Sequence, residues 1–180
     1  MRKVIVSEFV SLDGVIEAPE WAAQFGDEEN AYKMEELFAC DALLLGRVTY
    51  QEFAAVWPGM AADTGEYGER MNNLPKYVVS TTLQEMEWNA SLIQGNITEE
   101  ISRLKQQSGQ DLLVSGSGEL VHSLTQHHLI DEYRLMIFPV VVGSGKRLFA
   151  EGSEKQAIKL IEAKAFSSGV VVLSYEPIKP

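Results

Sequence analysis

Cysteine is almost missing from this chain of 180 residues: Cys40 stands alone. One thiol forms no intrachain disulfide and builds no cysteine-rich metal cluster. It follows Phe38-Ala39, where a helix is expected to end, and reads as a small core residue. Histidine is nearly as scarce, at three. His127 and His128 are neighbours, and adjacent positions on a helix face different ways, so no metal site is expected there; His122 has no ligating companion. Positive charge is also short, with 15 Lys and Arg against 26 Asp and Glu, a net charge of −11. That balance argues against a nucleic-acid or anionic-membrane surface, although a few local donors can still hold a small anion. No apolar run approaches the roughly 20 residues of a membrane span. The start, Met1-Arg2-Lys3 then Val4-Ile5-Val6, is too short in its apolar part for a signal peptide, and a cytoplasmic location is expected. No internal repeat, linker or low-complexity segment is visible.

What remains is an ordinary globular composition, 46% apolar and 23% charged, in a length that suits one domain over residues 1–180. The organising stretch is Asp111 to Leu124. Leu112 to Ser115 reads as a buried strand and Gly116-Ser117-Gly118 as a turn. From Glu119, the apolar residues Leu120, Val121 and Leu124 recur at helical spacing. Glycines let the backbone approach a ligand closely, and the first helical N–H groups are unpaired at the positive end of the dipole, which suits a phosphate. The plain alternative is a strand-to-helix connection and nothing more. A second junction has the same form. Ala42 to Leu45 is a buried strand, Gly46 stops it, and Arg47 to Phe53 begins a helix. Arg47 offers planar charged donors, and Thr49 a hydroxyl in the first turn. The alternative for Arg47 is pairing with nearby acids.

Elsewhere, Lys3 to Val10 reads as a central strand buried on both faces, broken by Ser11-Leu12-Asp13-Gly14. Asp-Gly favours a turn, which presents Asp13 at a strand's C-terminal end, where open α/β sheets bind ligands. The plain reading of Asp13 is a turn-former bonding its own backbone. Residues 15–26, with Pro19, Trp21 and Phe25, read as a loop that folds over something. Asp27 is expected to cap a helix through about Ala39, with Tyr32, Leu37 and Phe38 inward and Glu28, Glu29, Glu35 and Glu36 mostly solvated. Val56-Trp57-Pro58-Gly59 is expected to end the second helix, leaving a loop to Asn73. Lys76 to Ser80 is a third strand; Ser80, Thr81 and Thr82 at its end are hydroxyls for a ribose phosphate, or turn-formers. Trp88 to Ile93 is a short strand, and Asn96 or Thr98 opens a helix to about Gln107. Asp131 to Phe138 is a strand, and Ile158 to Phe166 with Val170 to Tyr175 form a hairpin around Ser167-Ser168-Gly169. This alternation followed by a hairpin predicts a mixed sheet covered by helices.

Five stretches carry a resemblance, in this order along the chain. They are Ser11-Leu12-Asp13-Gly14, Leu44-Leu45-Gly46-Arg47-Val48-Thr49-Tyr50, Val114-Ser115-Gly116-Ser117-Gly118, Leu129-Ile130-Asp131-Glu132-Tyr133-Arg134 and Pro139-Val140-Val141-Val142-Gly143-Ser144-Gly145-Lys146-Arg147-Leu148-Phe149. Together they resemble the dihydrofolate-reductase-like superfamily, in the branch of the reductase domain of bifunctional riboflavin-biosynthesis enzymes. The resemblance implies a three-layer α/β/α fold with a mixed, mostly parallel sheet, a C-terminal antiparallel hairpin, and NADPH across the sheet's C-terminal edge. It implies that Gly46, Arg47 and Thr49, and Gly116, Ser117 and Gly118 followed by Glu119 and Leu120, hold the cofactor's phosphates. Ser80, Thr81 and Thr82 would meet the adenosine 2′-phosphate. Related sequences usually carry an arginine in that segment and this one does not, which leaves Arg47 as the main charged partner and NADH open beside NADPH. A homodimer is implied as well, with Met136 to Val142 as a contact. The pattern departs in two further ways. No His-x-Glu with Pro-Cys-x-x-Cys is present, so the zinc deaminase chemistry is absent. Nor do Asp27 and Glu28 match the surroundings of the helix carboxylate that protonates dihydrofolate.

The reading that follows is a reductase moving a hydride from nicotinamide C4 to the carbon of a C=N or C=O bond. Asp13, beside Gly14, is expected to orient substrate or relay a proton. Trp21 and Trp57 are expected to wall the pocket, with core packing as the other role for either. Lys146 and Arg147 are candidates for the phosphate of a phosphoribosylamino-pyrimidine substrate. Dihydrofolate reductase proper, and a dinucleotide-binding protein without turnover, are the alternatives.

Overall fold

The structure, a computed structural model, describes residues 1–23, 26–149 and 151–178; Phe25 lies outside them. Eight strands form one sheet in the order β4-β3-β2-β5-β1-β6-β8-β7. In chain order the elements are β1 (Val4–Ser11), a 3-10 turn (Pro19–Ala22), α1 (Asp27–Phe38), β2 (Cys40–Gly46), α2 (Arg47–Asn73), β3 (Lys76–Val79) and β4 (Ala90–Ile93). There follow α3 (Ile97–Gln106), β5 (Asp111–Val114), α4 (Gly118–Gln126), β6 (Glu132–Phe138), β7 (Ile158–Ala165) and β8 (Val171–Pro177). Pairing is parallel from β4 across to β6 and antiparallel from β6 through β8 to β7. The mostly parallel sheet with a terminal antiparallel hairpin is the architecture expected from the sequence.

Strands buried on both faces send alternate side chains into two cores. Val4, Val6, Leu44, Leu112 and Val114 pack with Ile101 and Leu104 of α3 and Leu120, Val121 and Leu124 of α4. Ile5, Leu43, Leu45 and Leu113 pack with Leu37 of α1 and Tyr50 and Met71 of α2. A third cluster joins Met136 and Phe138 of β6 to Phe166, Val170 and Val172 of the hairpin. One detail of pairing decides where the functional site lies. β5 is only four residues long, so its ladder with β1 ends at Val6↔Val114, whereas β6 follows β1 as far as Ser11↔Phe138. Beyond Val6 the sheet splits.

Several local expectations are corrected. α2 does not stop at Trp57-Pro58-Gly59; it runs to Asn73 with one break at Gly65 (φ 56°, ψ −135°). Pro58 removes a backbone donor, but Tyr67 and Met71 beyond it pack on the second core and hold the helix on course. Gly26, not Asp27, is the N-cap of α1, and its N–H donates to the Glu29 carboxylate at 3.1 Å. Glu29 and Glu36 are buried rather than solvated. Glu28 accepts the Ser167 N–H at 2.8 Å, and Glu29 accepts the Ser168 hydroxyl, so the acids of α1 tie it to the hairpin turn. Phe38 is 44% exposed and lies 5.5 Å from the Arg70 guanidinium. Trp88 and Asn89 take left-handed φ values of 55° and 54°, so the fourth strand starts at Ala90. Within 136–142, Met136 and Phe138 are core residues, whereas Val141 and Val142 are exposed.

Leu44 is fully buried in the first core, so Leu44→Ala is expected to cost about 2–5 kcal/mol. Urea unfolding at neutral pH measures it, and a loss below about 1 kcal/mol would contradict the packing described.

Candidate functional site

The split between β1 and β5 opens into a cavity of about 1060 Å³. It lies beyond the C-terminal ends of the parallel strands, the usual ligand position in open α/β sheets. Because β2 and β5 are neighbours, the two strand–glycine–helix junctions meet there. The Gly46 N–H donates to the Gly116 carbonyl at 3.1 Å. A Cβ on Gly46 would run into the Ser117 hydroxyl, and one on Gly116 (φ 95°) would lie 2.8 Å from the Thr49 hydroxyl. The glycines are thus needed for the two corners to interlock. The Gly116–Ser117 peptide is cis. Neither Gly46 nor Ser117 supplies a side-chain cap to the helix it precedes. Two helices therefore begin side by side with first-turn N–H groups that have no intrahelical acceptor, and their positive ends converge on one place.

Of the residues expected to bind cofactor, Thr49, Gly116, Ser117, Gly118 and Glu119 line the cavity. Gly46 sits behind Ser117 as its packing partner. The Arg47 side chain lies along its own helix, donating to the Gln51 side-chain oxygen at 2.9 Å rather than pairing with an acid. Leu120 is buried in the first core, and only its backbone remains available to a ligand. Ser80, Thr81 and Thr82 are not among the lining residues; the Ser80 hydroxyl accepts the N–H groups of Thr82 and Leu83, each at 3.1 Å, and so forms a turn.

The expected substrate residues divide in the same way. Trp57 lines the cavity, its ring 6.3 Å from Phe53 and 5.5 Å from Tyr67. Trp21 does not; it packs edge-on to Phe138 at 5.5 Å. Lys146 and Arg147 line the cavity, brought there by a backbone clasp with residues 14–16. In that clasp the Ile16 N–H donates to the Lys146 carbonyl at 2.9 Å, and the Leu148 N–H to the Gly14 carbonyl at 3.0 Å. Asp13 and Gly14 are outside the lining. The Asp13 carboxylate accepts the Ser11 hydroxyl at 2.7 Å and the N–H groups of Val142 and Gly143 at 3.0 and 2.8 Å. These donors, the Ser11 hydroxyl first, hold its pKa down at about 2. A carboxylate so occupied fixes a loop, which is the plainer of its two expected roles.

Among the cavity residues that the sequence reading did not single out, Glu8 stands apart. Glu8 lines the cavity on β1, two positions past the last residue paired with β5. Its Oε1 is buried and has no hydrogen-bond partner among the described residues. Burial pushes the carboxyl up to about 8; Lys33 works against this, Glu36 adds to it, and the Gly116 N–H works against it. Lys33 is already engaged, bonding the Glu36 carboxylate and, at 2.6 Å, the Ser7 hydroxyl, which itself donates to Glu36 at 2.6 Å. The signal was a charged residue inside a strand, Val4 to Val10, that is apolar apart from Ser7 and Glu8. A charge there is costly unless partnered or functional. The donors at the two corners fit the phosphates of a dinucleotide, and the aromatic wall of Phe9, Phe53 and Trp57 fits a flat ring beside it.

The sequence pattern of the RibD C-terminal domain matches residues 2–172. The chain belongs to the RibD C-terminal domain family. The Bacillus subtilis (strain 168) protein YyaP is 32% identical over 180 residues, covering 97% of this chain and 94% of YyaP. A putative riboflavin biosynthesis protein from Shewanella sp. PV-4 shares the fold, with a TM-score of 0.80, 22% identity, and coverage of 98% of this chain and 99% of that one. Dihydrofolate reductase from Enterococcus faecalis, solved with NADP(H) and RAB-propyl, has a TM-score of 0.62 at 12% identity, covering 98% of this chain and 97% of that one. The RibD C-terminal domain fold is thus a dihydrofolate-reductase-like one.

In this RibD C-terminal domain the interlock makes a paired prediction. Gly46→Ala is expected to cost about 1–3 kcal/mol through its collision with Ser117, and adding Ser117→Gly should recover more than about half of that loss. Unfolding of the single and double variants measures it; strictly additive losses would count against the contact. Asp13→Asn should quicken hydrogen exchange at the Val142 and Gly143 amides, and unchanged exchange would remove the clamp.

Proposed function

We propose that the protein is an NADPH-dependent reductase of a small heterocyclic substrate, of the riboflavin-pathway type. The observation that carries this reading is the interlock of two glycine corners over one cavity, with two helix N-termini facing the same space. The α4 corner (Gly116, Ser117, Gly118) and the α2 corner with the Thr49 hydroxyl would hold the two phosphates of the dinucleotide. When bound, a reduced nicotinamide supplies hydride to the electron-poor carbon of a C=N or C=O bond. The chain's own contribution is placement and exclusion of water. Trp57 and the phenylalanines beside it would flank the ring, and Lys146 and Arg147 would meet an anionic group on the substrate, such as the phosphate of a phosphoribosylamino-pyrimidine. A volume of about 1060 Å³ exceeds the usual range for one drug-sized ligand and suits two ligands side by side. Ser80-Thr81-Thr82 brings no cation, so NADH is the competitor to be compared with NADPH.

Titration with NADPH is expected to change Trp57 fluorescence saturably, and Gly116→Ala should weaken binding by at least about tenfold, roughly 1.4 kcal/mol. The reason is that an alanine there meets both the left-handed backbone and the Thr49 hydroxyl. Absence of saturation at millimolar NADPH and NADH would end the proposal.

A further inference from the structure

We propose that Glu8 is the acid that protonates the substrate atom left electron-rich by hydride addition. The inference rests on the reductase reading above and gives it the proton donor that the helix acids of α1 do not supply. Glu28 and Glu29 are engaged with Ser167 and Ser168, and neither they nor Glu36, whose Oε2 is held by Lys33 and Ser7, line the cavity. Asp13 is spent on its loop. Four other acids line the cavity, Glu17, Glu52, Glu119 and Glu151, and all four are exposed to solvent. Glu8 differs from them in position and surroundings. It projects where β1 has lost β5 as a neighbour, between the Gly116 corner and α1, with a buried oxygen that nothing in the described protein satisfies. An orphaned buried oxygen is costly, and a ligand atom accepting the Glu8 proton would relieve that cost.

The charged groups around it explain why a proton stays there. From α1, Lys33 favours the carboxylate and Glu36 the acid; from the β5–α4 turn, the Gly116 N–H favours the carboxylate. From α2, Tyr67 bears on Lys33 rather than on Glu8 directly. From β6, Arg134 stands 3.6 Å from Glu36. Among the described residues Lys33 is the cation that bears on Glu8, and its charge is paired with Glu36 while it also bonds the Ser7 hydroxyl. Burial then dominates and holds the carboxyl near 8, which suits a general acid working at neutral pH. The step balances as follows. The C4–H bond of the reduced nicotinamide breaks, a C–H bond forms on the carbon of the substrate's C=N or C=O, and the π pair moves to nitrogen or oxygen. The O–H bond of Glu8 breaks to give that atom its proton, and the carboxylate regains one from water after product leaves.

The test compares wild type with Glu8→Gln, which keeps the shape and cannot release a proton. Infrared spectroscopy of the free protein should show a carboxylic-acid band that fades as pH rises through about 8 in wild type and is missing in the variant. Because the folded-state value lies above the usual 4.5, wild type should lose stability as pH climbs from 4.5 through about 8, and Glu8→Gln should remove that loss. NADPH affinity should stay within about threefold. Reduction of 5-amino-6-(5-phosphoribosylamino)uracil or dihydrofolate should fall by about 10²–10⁴-fold in the variant, with the alkaline fall of the wild-type rate abolished. A Glu8 band that titrates below pH 6, or turnover by Glu8→Gln at the wild-type rate, overturns this inference alone. A wild type that carries the acid yet reduces neither acceptor overturns the reductase reading, and this inference with it.

Discussion

The short length of β5 is the constraint on which the rest of the site depends. Hydrogen bonding between parallel neighbours holds β1 against β5 for three residues and against β6 for seven. Had β5 run as far as β6, its ladder would have closed the sheet and the cavity would not exist. Since β5 instead turns at Gly116, the backbone beyond it is released to start a helix. The neighbouring strand, β2, does the same at Gly46. Two turns in adjacent strands at the same level bring two helix starts together, and only residues without side chains let those turns touch. Cavity, adjoining helix N-termini and bare strand edge thus have one cause.

The electrostatics of the site run against those of the molecule. A chain with a net charge of −11 concentrates positive potential at one spot by means of backbone dipoles rather than basic side chains. Arg47, the obvious cation, lies along its own helix instead. Inside the cleft the same economy holds. Lys33 and Glu36 neutralise one another, with Ser7 between them and Arg134 behind, so that burial and not a neighbouring charge governs Glu8.

How much of this was legible in the sequence depended on what each residue's role rests on. Strand–glycine–helix junctions are local patterns, and both were readable, as were the hairpin and the central strands. Their meeting in space depends on β2 lying beside β5, which neither junction shows alone; the resemblance implied it only by assigning both to the phosphates of one cofactor. The full length of α2 was not readable, because Pro58 and Gly59 look like a stop and the packing that overrides them comes from Tyr67 and Met71 on a distant core. Solvated and buried acids of α1 were indistinguishable by spacing, since Glu29 and Glu36 are buried by partners from the hairpin and from β1. Asp13 was visible as a turn residue, but which donors claim it depends on a loop about 130 positions away. Glu8 had a signal, a charge within a mostly apolar strand, that was passed over inside the central strand Lys3 to Val10.

The wall of the cavity is made from two segments far apart along the chain. Val15 pairs with Arg147, and Asp13 secures Val142 and Gly143. Emerging from a ribosome, the polypeptide would carry both glycine corners well before this wall can close, because β6 must first be added beside β1. A ligand present during synthesis therefore gains its full enclosure only after residue 148 is free to fold back. Enclosure of the cavity, on this topology, belongs to the end of folding and not to its beginning.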